Sequence, residues 1–573
     1  MIKRKLSIAF FSLLAIFMCS CGNEEGKTSN NTIPSTSPTP STTISTTIPT
    51  VTKDPSLKYD IIGGEVIIND KELTSSNQIN NNNRVFYQIF VGSFSDSNND
   101  RIGDIRGIIN RLDYLNDGDP NSGKSLGVQG IWLSPIFSSP TYHKYDVKNY
   151  YKIDIDFGTQ QDLEELIQKC HERNIKIILD LPINHTSIQN EWFTNFKNAV
   201  LNGDTTNPYY DFYTKVTKDE KVSGSKYSGL NSEYSYECNF DTAMPELNFD
   251  SENVKAEVLN IAKYWLDLGV DGFRFDAAKY IYFGNETKSA EFWDWYLTEL
   301  RSYKSDIYTV GEVWSADGIT DIYYEHGLSC FNFSTSGAEG KIASAAKQGN
   351  VTTYTKYVEN YLTKIKTFGD HAIMHQFISN HDMDRAAGYL TTSFRYAQVG
   401  ANLYLLSPGS PFIYYGEEIG IKGSRGSDNT DANRRLAMRW GDGDRVGNPT
   451  GATYKESYQI NGTVATQIGD ENSLLNHYKK LIMIRNSCPE IINGEYKALS
   501  SPVTTIGGFI STYNDSKVCV IHNTSIEPQT ISLSDLKANE FNYIFAYSGY
   551  DGCTLIDGEL TIQPQTSVVL RIK

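Results

Sequence analysis

The chain has little of what would make it a nucleic-acid binder, a disulfide scaffold or a metal-cluster protein. Lys and Arg number 52 against 68 Asp and Glu, a formal net charge of −16. A phosphate backbone repels so acidic a surface, which excludes nucleic acid as a partner. The eight cysteines are spread over 573 residues with no CxxC pair. That spacing excludes a zinc-type ligand set and a disulfide framework, leaving Cys519 with Cys553 as the one pair to check. The apolar run Leu6–Met18 is too short for a standard membrane span. What the chain does have is a hydrophobic content of 39%, enough for a packed core, and 37 Tyr and 26 Phe. Surfaces rich in such rings stack on sugars or bases. The length leaves room for three or four domains.

The first 21 residues read as an export signal. Lys3, Arg4 and Lys5 form a basic start, Leu6–Met18 the apolar stretch, and "MCSCGN" follows. A cysteine after a small residue resembles a bacterial lipoprotein site, which makes Cys21 the expected lipidated residue of an exported, cell-surface or extracellular protein. Residues 22–83 are rich in Ser, Thr, Pro and Asn ("TIPSTSPTPSTTISTTIPTVT") and cannot bury enough apolar surface to fold, so they form a tether.

From Arg84 apolar strand-like runs alternate with amphipathic helical ones. The strands are "VFYQIFVGSF", "VQGIWLSP", "KIILDLPIN", "DGFRFDAA", "IYTVGEVW", "LSCFNFS", "AIMHQFISN" and "PFIYYGEE". Helical stretches such as Gln160–Arg173, Val254–Leu268, Ala290–Lys304, Phe394–Leu406 and Leu474–Arg485 fall between them. Eight such units predict an α/β fold, a (β/α)8 barrel over residues 84–488. The long gap after strand three, residues 186–250, predicts a small irregular inserted domain. After Pro489 short alternating runs ("TTIGGFISTY", "KVCVIHNT", "TSVVLRIK") predict a C-terminal antiparallel β domain over 489–573.

A barrel of this kind works at the ends of its strands. Strand three ends at Asp180, Asn184 and His185; strand four at Arg274 and Asp276. Strand five ends at Glu312, and strand seven at Asn380, His381 and Asp382. Any one of these is a cap or a surface ion pair in most proteins. Carboxylates converging on one mouth repel each other, so stability alone does not explain the set. Paired carboxylates in an aromatic cleft suit glycoside hydrolysis, where one attacks the anomeric carbon and another protonates the leaving oxygen. Their pKa values must differ, and Arg274, on the strand face of Asp276, keeps that carboxyl ionised.

These motifs resemble the α-amylase family, glycoside hydrolase family 13. The matches are "DLPINH" (180–185), "GFRFDAAK" (272–279), "GEVW" (311–314) and "FISNHD" (377–382), with "GIWLSP" (130–135), "MPELN" (244–248) and "GSPFIYYGEE" (409–418). The resemblance runs from Arg84 to the end. It implies Asp276 as nucleophile, Glu312 as general acid/base and Asp382 as transition-state stabiliser. It also implies substrate contacts by Tyr145, His143, His185, Arg274, Lys279, His381, Asp431 and Arg435. Within "YHKY" Lys144 replaces the family's usual glycine, and "MPELN" carries Glu246 where Asp is usual, near an intermediate "MPDLN-type" subgroup.

Ala277 and Lys279 match α-1,4-acting members, whereas oligo-1,6-glucosidase relatives commonly have Val after the nucleophile. Tyr142 stands where exo-acting members carry an Asp that clamps the chain end, and Tyr280 where α-amylases usually have His. The leading expectation is a monomeric retaining endo-α-1,4-glucanase acting on starch-like polymers. The alternatives are a 4-α-glucanotransferase or maltogenic, neopullulanase-like enzyme with the same triad, or a non-catalytic glucan-binding homologue.

One loop needs a separate account. "DSNNDRIGD" (96–104) sets oxygen-bearing side chains at positions one, three, five and nine, but Arg101 and Gly107 replace the glycine and glutamate of an EF-hand. The resemblance implies a structural calcium held by Asp96, Asn98, Asp100, the Ile102 carbonyl and Asp104. Without metal the same loop caps a helix. Asn184 is the residue that a second calcium, between barrel and inserted domain, would use in this family.

Overall fold

The computed structural model describes residues 82–573 apart from 121, 391–393 and 551. The export signal, Cys21 and nearly all of the tether lie outside the described residues.

Six parallel strands form the barrel wall in the spatial order fifth, fourth, third, second, first, eighth. They span Tyr308–Gly311, Gly272–Phe275, Lys176–Leu181, Gly130–Leu133, Phe86–Ile89 and Phe412–Tyr414. The sixth and seventh positions are not full strands. They close the ring through the parallel bridges Gly311–Cys330, Phe331–His375 and Phe377–Phe412. Rings fill the interior: Phe86, Trp132, Tyr308, Phe331, Phe377 and Phe412 are buried together, with Phe86 and Phe412 stacked at 4.7 Å. Gly130 makes room for this layer, because a Cβ there would stand 2.5 Å from the Phe86 ring. Further along the same strands the inward positions turn polar. Register places Asp180 directly beside Arg274, which brings opposite charges to the mouth of the barrel.

The helices outside follow their apolar spacing. Gln160–Glu172 starts on a Thr159/Asp162 capping box and buries Leu163, Leu166, Ile167 and Cys170 on one face. The predicted helices occur as Glu252–Asp267, Glu286–Tyr303, Phe394–Leu405 and Leu474–Asn486. The inserted segment is more regular than its composition suggests. It holds a helix, Glu191–Asn202, and a three-stranded antiparallel sheet of Lys215–Val216, Ser235–Glu237 and Tyr227–Gly229. The bridges His185–Glu246 and Tyr213–Leu247 tie its two ends together.

The C-terminal region is two antiparallel sheets, of five and three strands. Alternation along Ser516–Asn523 explains how it docks. Cys519 and Ile521 face the second sheet, whereas Val518 and Val520 join the barrel's own core. Arg571 fixes the joint by pairing with Glu490 through both guanidinium nitrogens, at 2.9 and 3.1 Å. Cys519 is a buried thiol and forms no disulfide with Cys553. No described helix is long and apolar enough to cross a membrane.

Candidate active site

The strand ends converge on a cleft of about 710 Å³. Arg274 sits at its floor with a side chain only 1% exposed. Its Nη1 donates to Asp180 Oδ1 at 2.7 Å and to Asp276 Oδ1 at 2.6 Å, and Nη2 lies 2.8 Å from Glu312 Oε2. One cation therefore faces three buried carboxyls, and all three cannot be charged together without a large cost. Burial pushes Asp180, Asp276 and Glu312 upward, against the pull of Arg274. One guanidinium therefore holds the Asp276 and Glu312 carboxyls side by side, the close pairing that a retaining enzyme needs. The Ala277 amide donates to Glu312 Oε2 at 3.1 Å. Ala277 reaches the contact because it takes the left-handed region (φ 42°), turning the chain sharply after Asp276.

Asp382 is in the opposite state. Burial pushes it up, but His381, Arg435 and Arg274 outweigh that and hold it well below the ordinary carboxylate value. Arg435 Nη2 donates to its Oδ1 at 2.7 Å, and His381 Nε2 lies 2.9 Å from its Oδ2. His381 in turn accepts at Nδ1 from Gln88 (2.7 Å) and stacks on Tyr145 with ring centroids 5.5 Å apart. The Tyr145 hydroxyl donates to Asp180 at 2.9 Å. The cleft thus holds carboxyls of two kinds, one held below the ordinary value and a pair raised above it.

Most of the expected substrate contacts line this cleft: Tyr145, His143, His185, Lys279, Asp431 and Arg435. Neither ring nitrogen of His185 has a hydrogen-bond partner among the described residues, and burial lowers its pKa to about 4, so the ring is neutral. A buried neutral imidazole facing a polar cleft is poised to bind hydroxyls. His143 is lowered to about 3 by burial and Arg435 and accepts the Tyr145 amide at Nδ1, 3.2 Å. Lys279 donates to the Trp314 carbonyl at 2.8 Å.

Two expectations need correction. Arg274 was placed among the sugar contacts, but it lies under the carboxyls and does not line the cleft. His381 is fully buried and also lies outside the lining, so it acts through Tyr145 and Asp382. Asp431 and Arg435 both line the cleft, and Asp431 is held there by Arg434 at 2.8 Å and Arg425 at 3.3 Å. The rim also holds rings that strand-end reading passes over. Trp314 is 45% and Phe240 40% exposed, and Trp314 stacks on Phe333 at 4.8 Å. The Trp in "GEVW" was the available signal for the first; nothing in the spacing marked the second.

In the Asp96–Asp104 loop the candidate ligand oxygens already hold the chain. Asp96 accepts from the amides of Asn98, Asn99 and Arg101 at 2.7–3.0 Å. Asp100 accepts from Ile102 at 2.7 Å, Asn98 from Asp100 at 2.9 Å. Asp104 caps the next helix at Gly107 (2.6 Å). Among the described residues no three acidic, His or Cys groups are gathered as a metal set. The fit to calcium is one of donor chemistry, since carboxylate, amide and carbonyl oxygens suit a hard cation and keep lone pairs beyond those used here. Both polar side-chain atoms of Asn184 are buried without a partner among the described residues.

Comparison with known proteins agrees with the geometry. The family described as "Alpha amylase, catalytic domain" matches residues 88–494. "Alpha-amylase 3" of Dictyoglomus thermophilum is 36% identical over 466 residues, 81% of this chain and 89% of its own. An oligo-1,6-glucosidase of Bacillus cereus is 29% identical over 581 residues, 85% of this chain and 98% of its own. Among solved structures, Eubacterium rectale Amy13B superposes with a TM-score of 0.80 at 34% identity, covering 87% of this chain and 97% of that one.

Proposed function

The chain belongs to the α-amylase family of glycoside hydrolases, and from that premise we propose that it is a retaining, endo-acting hydrolase of the α-1,4 bonds of starch-like polysaccharides. The observation that carries the chemistry is the pairing of the Asp276 and Glu312 carboxyls on the one guanidinium of Arg274. Asp276, anchored at 2.6 Å by the guanidinium, supplies the nucleophile, and Glu312 supplies the proton for the leaving oxygen. A covalent glycosyl-enzyme forms and Glu312, now ionised, takes a proton from the water that releases it. Asp382, held charged throughout, faces the positive charge that develops on the sugar.

The endo mode rests on the cleft. Tyr142, which accepts from Arg435 Nη1 at 3.1 Å, occupies the place of the end-clamping Asp. The exposed rings of Trp314 and Phe240 offer stacking surface beyond the reacting sugar. We assign calcium at Asp96, Asn98, Asp100, Ile102 and Asp104 the role of a staple on the loop before the first helix. The protein acts at the cell exterior, anchored through Cys21, as a monomer and a member of the MPDLN-type subgroup. Cys21→Ser should release it from the membrane fraction.

Product analysis on soluble starch tests the reading. Rapid loss of iodine colour, early mid-length maltooligosaccharides and first-formed α anomers by proton NMR are expected. Glucose as the sole early product would exclude the endo mode. First-formed β anomers would exclude retention, and extensive disproportionation of maltotriose would point to a transferase.

A further inference from the structure

Lys144 stands between two cleft residues, His143 and Tyr145, where the resembling motif has glycine. Its φ of 66° lies in the left-handed region, where glycine carries no steric penalty and a lysine does. Something must hold it there, and its side chain shows what. Although 5% exposed, it extends to two carboxylates, with Nζ 3.0 Å from Asp154 Oδ1 and 2.8 Å from Asp156 Oδ2. The ammonium also lies 5.2 Å over the Phe157 ring. Asp154 is buried and reaches back to the start of the same turn, accepting from the Ser139 amide at 2.7 Å. Among the described residues Asp154 and Asp156 form no other ion pair.

The segment 139–144 is therefore held at both ends by one buried carboxylate, which Lys144 neutralises. Tyr142 and His143 lie inside the clamp and Tyr145 directly follows it, three residues of the cleft wall. Each is placed by a backbone-sensitive contact: Tyr142 to Arg435, His143 to the Tyr145 amide, and Tyr145 to Asp180.

We infer that Lys144 is a positioning residue, whose ion pairs with Asp154 and Asp156 hold the Tyr142–Tyr145 turn in register with the catalytic carboxyls. It deepens the proposed hydrolase function and rests on it for the catalytic readout. A reacting sugar misplaced by a loosened wall loses rate more than affinity, because orientation is needed most in the transition state.

The test compares wild type with Lys144→Met, Lys144→Gly, Asp156→Asn and the Lys144→Met/Asp156→Asn double variant. Two readouts are taken where circular dichroism shows each protein folded. In hydrogen-exchange mass spectrometry, Lys144→Met and Lys144→Gly should speed exchange in residues 139–146 about tenfold or more, with the rest of the barrel unchanged. On a p-nitrophenyl maltooligosaccharide, kcat should fall about tenfold or more while KM moves less than about threefold. The double variant should be no worse than Lys144→Met, since both lose one interaction. Should Lys144→Met not fold, Asp156→Asn, whose side chain is 39% exposed, carries the same expectation in milder form. Unchanged exchange in Lys144→Met, wild-type behaviour of Lys144→Gly, or additive losses in the double variant would overturn the assignment. A wild type inactive on α-glucans would instead sink the proposed function, and the exchange readout would still judge Lys144.

Discussion

Replacing Arg274 by Met should disable the enzyme by protonating its nucleophile rather than by removing a sugar contact. Asp276 is pushed up by burial and held down mainly by Arg274. The variant leaves burial unopposed, so the Asp276 pKa rises further. For charges about 4 Å apart at an effective dielectric near 20, the attraction is about 4 kcal/mol, roughly 3 pKa units. Relaxation and water entry reduce that to about 2 units. At pH values on the acid limb a rise of about 2 units cuts the ionised fraction about a hundredfold, so kcat/KM measured there should fall by about that factor. The acid limb of the kcat/KM profile should move toward alkaline pH by the same 2 or so units. Folding should survive, because Asp180, Asp276 and Glu312 can take up protons instead of remaining as unpaired charges. The stability loss should then sit near the lower end of the range of about 3–5 kcal/mol for a broken buried pair. Arg274→Lys keeps the charge but not the fork that spans three carboxyls, and should fall between the two. The assay is a pH series on a p-nitrophenyl maltooligosaccharide, with melting curves alongside. An acid limb that stays within about half a pH unit of wild type would refute the reasoning.

Three further outcomes follow from the same structure. Glu312→Gln should cut starch hydrolysis about 10²–10⁴-fold yet spare much of the activity on a glycosyl fluoride, whose leaving group needs no proton; equal losses on both substrates would remove Glu312 from the acid role. A calcium chelator should lower the melting temperature, and added calcium should restore it, because a ligand bound only to the folded state stabilises it; identical melting curves would leave the Asp96–Asp104 loop as a metal-free helix cap. Burial lowers His522 to about 3 from an unfolded value of about 6.5, so the unfolded chain binds a proton there that the folded chain refuses. Stability from this group is therefore lost as pH falls, and His522→Asn should gain on wild type by roughly 1.4 kcal/mol per unit between about pH 6 and about pH 4 in denaturant titrations; a gap independent of pH would mean that the ring is protonated in the fold.

What the sequence made legible follows the range of the interactions involved. Strands such as Lys176–Leu181 and helices such as Gln160–Glu172 are written in local periodicity; the helix ends within one residue of expectation, and the strand starts on it and stops three residues early. The helix Val351–Ile365, "VTTYTKYVENYLTKI", was not. Its Val, Thr and Tyr residues favour strands, yet Val351, Tyr354, Thr355, Val358, Tyr361 and Ile365 are buried on one helical face. Packing decided against propensity there. The sixth and seventh barrel positions failed in the other direction: their apolar runs look like strands but meet their neighbours only at single bridges.

The site divides along the same line. Asp276, Glu312 and Asp382 could be named because each stands at a strand end in a short motif. Which cation serves which carboxylate could not be, because partners come from distant parts of the chain. Arg435 crosses 53 positions to reach Asp382, and its neighbour Arg434 takes Asp431 instead. Those choices set the charges. Arg435 and His381 hold Asp382 low, while Arg274, shared among three carboxyls, does not offset the burial of Asp276 and Glu312, which stay raised. A general acid/base must gain and lose a proton within one turnover, whereas a stabilising anion must do neither. Unequal sharing of Arg274 and Arg435 among four carboxyls gives both kinds of group in one cleft. Moving either guanidinium should therefore change the pH dependence of catalysis before it changes affinity for glucan.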